Sequence, residues 1–146
     1  MPRIEGKIDF LGATVIVRIG PSALLVSELR TLGQDIPASF DVLGLLDTGA
    51  MCSAIDPRVS NQFNLISNGS VSIHTPSRGR AYVERDSFDL SITLGAGHEG
   101  SFEVLCEVIE CELASQGFFA LIGRDVLSRC VLTFDGPANR FILKFP

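Results

Sequence analysis

Val42-Leu43-Gly44-Leu45-Leu46-Asp47-Thr48-Gly49-Ala50 is the stretch on which the reading of this chain turns. The apolar run from Val42 to Leu46 reads as a buried strand. A carboxylate then stands at its end, in a turn made of a small hydroxyl residue, a glycine and an alanine. An isolated ionised carboxylate in apolar surroundings is costly unless it is hydrogen-bonded, paired or protonated. A charge kept at such a strand end marks Asp47 as a candidate functional group.

The 146 residues fit a single domain, large enough to bury a core without disulfides or a metal. Fourteen Gly and seven Pro punctuate short apolar runs, and ten Phe favour strands, so the composition is that of a soluble globular chain leaning towards strands. Twelve basic against seventeen acidic residues leave a net charge of −5, with no clustered basic surface for a nucleic acid. The segment Met1-Pro2-Arg3-Ile4-Glu5-Gly6-Lys7 lacks the pattern of a secretory signal, and no apolar run reaches membrane-spanning length. Cys52, Cys106, Cys111 and Cys130 show no close paired spacing. They read as buried thiols of a reducing compartment, which places the chain in the cytoplasm, as such or as a soluble domain released from a larger precursor. With only His74 and His98 besides, no metal site is expected.

Outward from the turn, Phe10 to Ile19 reads as a first strand, with Val15, Val17 and Ile19 on one side. Ser22 to Leu32 fits either a helix, through Leu25, Leu29 and Leu32, or a second strand through Leu24-Leu25-Val26. Asp56-Pro57 reads as a helix start, with the aspartate as cap and the proline in the first turn. Ser70 to Leu94 reads as a long hairpin with a polar tip at Thr75-Pro76-Ser77-Arg78-Gly79-Arg80. Ser101 to Cys111 reads as a strand, Gly123 to Leu127 as a short helix, and Val131 to Phe134 with Arg140 to Phe145 as a closing hairpin.

A hydrolase that works with carboxylates alone needs two of them face to face around a water. Like charges about 3 Å apart do not both ionise readily, so the pair shares one proton. The charged member takes a proton from water as it attacks a peptide carbonyl, and the other donates to the developing oxyanion. In such a turn Gly49 brings an N–H to the carboxylate, Thr48 offers a hydroxyl that can lock the turn to a symmetry mate, and Ala50 leaves room for substrate. The chain holds one Asp-Thr-Gly segment. The second carboxylate therefore has to come from another copy about a two-fold axis.

Leu45-Leu46-Asp47-Thr48-Gly49-Ala50, followed about 70 residues later by Ala120-Leu121-Ile122-Gly123-Arg124-Asp125-Val126-Leu127, resembles the retropepsins, the single-domain aspartic proteases of retroviruses and their cellular and bacterial relatives. The resemblance covers roughly residues 8 to 145. It implies an all-β acid-protease fold with one or two short helices, closed as a symmetric homodimer, and an endopeptidase that needs no cofactor. Peptides or proteins would be its substrates. On the matching positions it implies catalytic Asp47 supported by Thr48 and Gly49, and substrate contacts at Ala50 and Met51. Ser77, Arg78 and Gly79 would form the tip of a closing flap, and Gly123 and Arg124 would open the helix beneath the site. The terminal strand, Arg140 to Phe145, is a candidate for a sheet shared between subunits.

Met51 stands where viral members commonly carry an acidic residue that pairs with the helix arginine. Arg124 then requires another acceptor, either Asp125 of a neighbouring segment or backbone carbonyls. Two further readings stay open. One is a dimerisation or peptide-binding module that keeps the fold without catalysis. The other is a redox protein built on Cys52. Asp125 is also a second, in-chain candidate for the partner carboxylate.

Overall fold

The computed structural model describes residues 1–63, 69–74 and 82–146, with the backbone alone for 70–74, 82 and 83. Among them run ten strands, β1 (Arg3–Asp9), β2 (Gly12–Pro21), β3 (Phe40–Leu46), β4 (Ala54–Ile55), β5 (Gly69–His74), β6 (Tyr82–Leu94), β7 (Phe102–Glu110), β8 (Ala120–Ile122), β9 (Val131–Asp135) and β10 (Arg140–Lys144). Three short helices interrupt them: α1 (Ala23–Thr31), α2 (Pro57–Gln62) and α3 (Arg124–Leu127). The all-β expectation holds, with three helices in place of one or two.

β6, β7, β4, β8, β3 and β2 follow one another, and β6 pairs back onto β2, so these six strands close a barrel. Its interior is the product of simple alternation. Val15, Val17 and Ile19 of β2, Phe88, Leu90, Ile92 and Leu94 of β6, and Val104, Cys106 and Val108 of β7 all turn inward and are buried. A second apolar cluster lies around Ala54, Ile109, Leu113 and Phe118, and Leu43 and Leu45 of β3 pack on it. β3 is thus held on both faces, Leu46 in the main core and Leu45 in the second. That double anchorage gives the turn after β3 a rigid base.

From β2 the sheet continues through β1 and β10 to β9. β1 lies before the segment where sequence periodicity marks the first strand. Its alternation of Ile4, Gly6 and Ile8 with Arg3, Glu5 and Lys7 is weakly apolar, and its pairing with β10 from Arg3↔Lys144 to Lys7↔Arg140 stabilises it. β10 therefore lies between β1 and β9, bonded on both sides. Segment 22–32 resolves as a helix: the Ser22 hydroxyl accepts the Leu25 N–H at 3.1 Å, and Gly33 takes φ +66° just past the end. α1 buries no residue, which is why its apolar pattern alone left the strand reading open.

Candidate active site

Asp47 follows β3, and its backbone N–H donates to the Ile122 carbonyl of β8 at 2.9 Å. This continues the parallel β3–β8 ladder, in which Leu46 faces Ile122. The turn then closes on itself. Ala50 N–H donates to the Asp47 carbonyl at 3.2 Å, and Gly49 N–H donates to Asp47 Oδ1 at 2.9 Å. A Cβ on Gly49 would lie 3.1 Å from that oxygen, so glycine is what lets the amide sit over the carboxylate without crowding. Asp47 itself is half-buried, with Thr48 and Gly49 exposed. Among the described residues Oδ2 receives no donor, so half of the carboxylate is left to face whatever approaches the turn.

The second sequence motif reaches this turn from below. Arg124 N–H donates to the Ala50 carbonyl at 2.9 Å, and Arg124 Nη1 donates to the Thr48 carbonyl at 3.1 Å. Of the two acceptors open to Arg124, the backbone carbonyl is the one used. Met51, 77% exposed, leaves that arrangement alone. Gly123 packs so tightly that a Cβ would come 2.6 Å from the Cys52 carbonyl carbon and 2.7 Å from its oxygen. Backbone atoms do not yield as a side-chain tip does. Gly123→Ala is therefore expected to push the helix off the turn, costing about 2–4 kcal/mol in urea denaturation, with the activity proposed below lost in the remaining folded protein.

Asp125 is not available as an in-chain partner for Asp47. Its Oδ2 accepts Ser53 N–H at 2.8 Å, its Oδ1 accepts Ser53 Oγ–H at 2.7 Å, and Oδ1 also takes Val126 N–H at 2.9 Å. Ser53 Oγ in turn accepts Gly123 N–H at 3.0 Å. Ser53 and Asp125 thus bolt the start of α3 to the strand leaving the Asp47 turn. The sequence reading missed Ser53, since a lone serine after a cysteine carries no periodicity or motif.

Asp56 is a second group whose full role was not legible. It caps α2 through Arg58 N–H at 2.9 Å, as its place before Pro57 indicates. It also reaches across the fold, where Oδ2 accepts Leu113 N–H at 2.9 Å and Ala114 N–H at 2.8 Å. Its side chain is fully buried. Burial opposes its charge, yet the N–H groups of Arg58, Leu113 and Ala114 and the nearby Arg58 guanidinium outweigh that and hold its pKa below the ordinary value.

The cysteines are free, and none is activated. Burial, then the Asp125 carboxylate, Cys111 and Glu107, pushes the Cys52 thiol up, and burial and Asp125 push Cys106 up to about 12. A thiol so raised is a poor nucleophile at neutral pH, which removes support for redox chemistry at Cys52. Among the described residues no group of His, Cys, Asp and Glu is arranged to hold a metal. No helix among them is long and apolar enough to cross a membrane. The flap-tip candidates Ser77, Arg78 and Gly79 lie outside the described residues.

No protein-family model matches the sequence, and no curated protein is significantly similar to it. Among solved structures, a retropepsin-like aspartic protease from Rickettsia conorii superposes with a TM-score of 0.57 at 13% identity, over 99% of this chain and 91% of the other. At that identity the likeness speaks for the architecture alone. Almost the whole length of this chain therefore follows the fold of a retropepsin-like aspartic protease.

Proposed function

We propose that the protein is an aspartic endopeptidase, active as a homodimer in which Asp47 of each copy faces the other across a two-fold axis around one water. The observation that carries this reading is the Asp47 turn itself. One carboxylate oxygen is held by Gly49 N–H, the other is open, and Arg124 fixes the turn through the Thr48 and Ala50 carbonyls. Thr48, exposed beside it, would bond its counterpart in the second copy. Ala50 and Met51 would line the groove for an extended peptide, and residues 77–79 would close over it.

In the resting dyad one Asp47 is charged and the other protonated. The charged one takes a proton from water as the oxygen attacks the scissile carbonyl, and the protonated one donates to the carbonyl oxygen. The resulting diol collapses with a proton delivered to the leaving amine. Because one proton must be present and one absent, kcat/KM should describe a bell on the acidic to mildly acidic side. The test is cleavage of a denatured protein, inhibited by a statine-type mimic of the tetrahedral intermediate. A rate that climbs without limit into alkaline pH would rule out the dyad. A folded dimer that binds peptides yet cuts none would establish the non-catalytic module instead.

A further inference from the structure

The outer face of the sheet formed by β1, β10 and β9 carries charges that its own fold leaves unbalanced. Arg3, Glu5 and Lys7 of β1 and Arg140 and Lys144 of β10 are exposed, and they alternate with Ile4, Gly6, Ile8, Phe141 and Leu143, which are partly or wholly buried. The register sets Arg3 opposite Lys144 and Lys7 opposite Arg140. Like charges directly opposed across two strands weaken their pairing, and two such pairs stand on this one face. Part of the repulsion is met within the chain, since Arg3 Nε lies 2.9 Å from Glu5 Oε1 and Arg140 Nε lies 3.7 Å from Asp135 Oδ2. Lys7 and Lys144 enter no ion pair among the described residues. The face thus gathers four of the twelve basic residues and only two of the seventeen acidic ones, so a chain that is acidic overall is basic here.

We propose that this face docks an acidic segment of the protein substrate in extended form, with two carboxylates four residues apart and an apolar side chain midway between them. The docking rests on the charges of the face, and its use in recruiting substrate rests on the endopeptidase reading above.

The spacing selects the segment. In an extended chain, residues four apart project to the same side at a separation of about 13 Å. Arg3 and Lys7 are four residues apart on β1, as are Arg140 and Lys144 on β10, so each carboxylate meets one opposed pair of cations and offsets its repulsion. At one end Lys7 and Arg140, with Asn139, line an open recess that can take a carboxylate. Midway, Glu5 stands opposite the half-buried Ile142. Glu5 repels a third acid at that point, and Ile142 offers apolar surface, which makes the middle position apolar. β1 and β3 run the same way on either side of β2. A segment laid along β1 past Lys7 is therefore led to the end of the sheet where Asp47 follows β3. A membrane or a nucleic acid would meet the acidic remainder of the molecule as well. A short segment feels only the charges within a screening length of about 8 Å.

The full chain is titrated with a labelled peptide, Gly-Glu-Ser-Val-Ser-Glu-Gly, which holds no apolar pair to be cut, and binding is read by fluorescence anisotropy. Lys7→Glu and Lys144→Glu should each weaken binding about 5-fold, and together about 25-fold, because they act at opposite ends of the segment. Neither should lower the urea midpoint, and Lys7→Glu should raise it by placing an acid opposite Arg140. Replacing the central valine of the peptide by glutamate should weaken binding about 3-fold although it adds negative charge. For a substrate that carries the segment beside a cleavable bond, the double variant should raise KM about 25-fold with kcat unchanged. A substrate without the segment should be cut alike by parent and variant. Equal peptide binding by parent and double variant, or tighter binding of the three-glutamate peptide, would overturn the proposal. So would displacement of the peptide by inorganic phosphate at matched ionic strength, or stronger retention on phosphatidylserine vesicles than on the peptide. If the peptide binds as described and no substrate is cut, the endopeptidase reading fails and this surface stands. If the double variant cuts the segment-bearing substrate as well as the parent does, the surface fails and the chemistry stands.

Discussion

Asp47→Asn will lower peptide cleavage at least about 10,000-fold while leaving the dimer and its unfolding midpoint unchanged. Asparagine has the same shape, and its carbonyl oxygen can still accept Gly49 N–H, so the turn should hold. What it lacks is the ability to take a proton from water or to give one to the carbonyl oxygen. In a symmetric pair the substitution removes both functions together. The loss should therefore fall on kcat, with binding of a statine-type inhibitor weakened and ordinary peptide binding much less affected. A variant as active as the parent would end the assignment. A linked dimer joining one parent copy to one Asp47→Asn copy should be just as inert, since a single carboxylate cannot share a proton with an amide.

The second large effect concerns stability. Asp56→Ala will cost about 3–5 kcal/mol in urea denaturation. The carboxylate accepts Arg58, Leu113 and Ala114 N–H groups from a fully buried position. Alanine leaves the Leu113 and Ala114 donors without a partner and removes the side-chain link between them and the start of α2. Asp56→Asn should be nearly as damaging, because an amide NH2 must point at one of the donors. The dependence on pH follows from the direction of the shift. A carboxyl whose folded pKa is lowered contributes stability that is fully present above its unfolded value and is lost as pH falls through the folded one. The gap between parent and Asp56→Ala should be widest at neutral pH and shrink below the ordinary carboxylate range. A gap that widens on acidification would contradict this account.

These effects sort the residues by how they were legible. Asp47, Thr48 and Gly49 stood out because a charge after an apolar run is chemically expensive and because the Gly123-Arg124 motif follows in the matching order. Asp56 was legible as a cap from Pro57 beside it. Its bonds to Leu113 and Ala114, 57 and 58 residues away, were not, because no local pattern encodes a contact at that separation. Ser53 and its grip on Asp125 were invisible for the same reason. Arg124 was legible as a support without its acceptor, and the Thr48 carbonyl emerged only once the turn and α3 were placed together.

By itself the sequence determined the strand periodicities, the two motifs and their order, because apolar alternation, turn residues and caps act over a few neighbouring positions. From those came the all-β class and the candidate carboxylate. Only the tertiary structure decided that 22–32 is a surface helix, that Arg3–Asp9 is a strand, and that β10 is enclosed while β9 keeps a free edge among the described residues. Such outcomes depend on which backbone hydrogen bonds are satisfied by distant strands. That accounting closes only when the whole chain is folded.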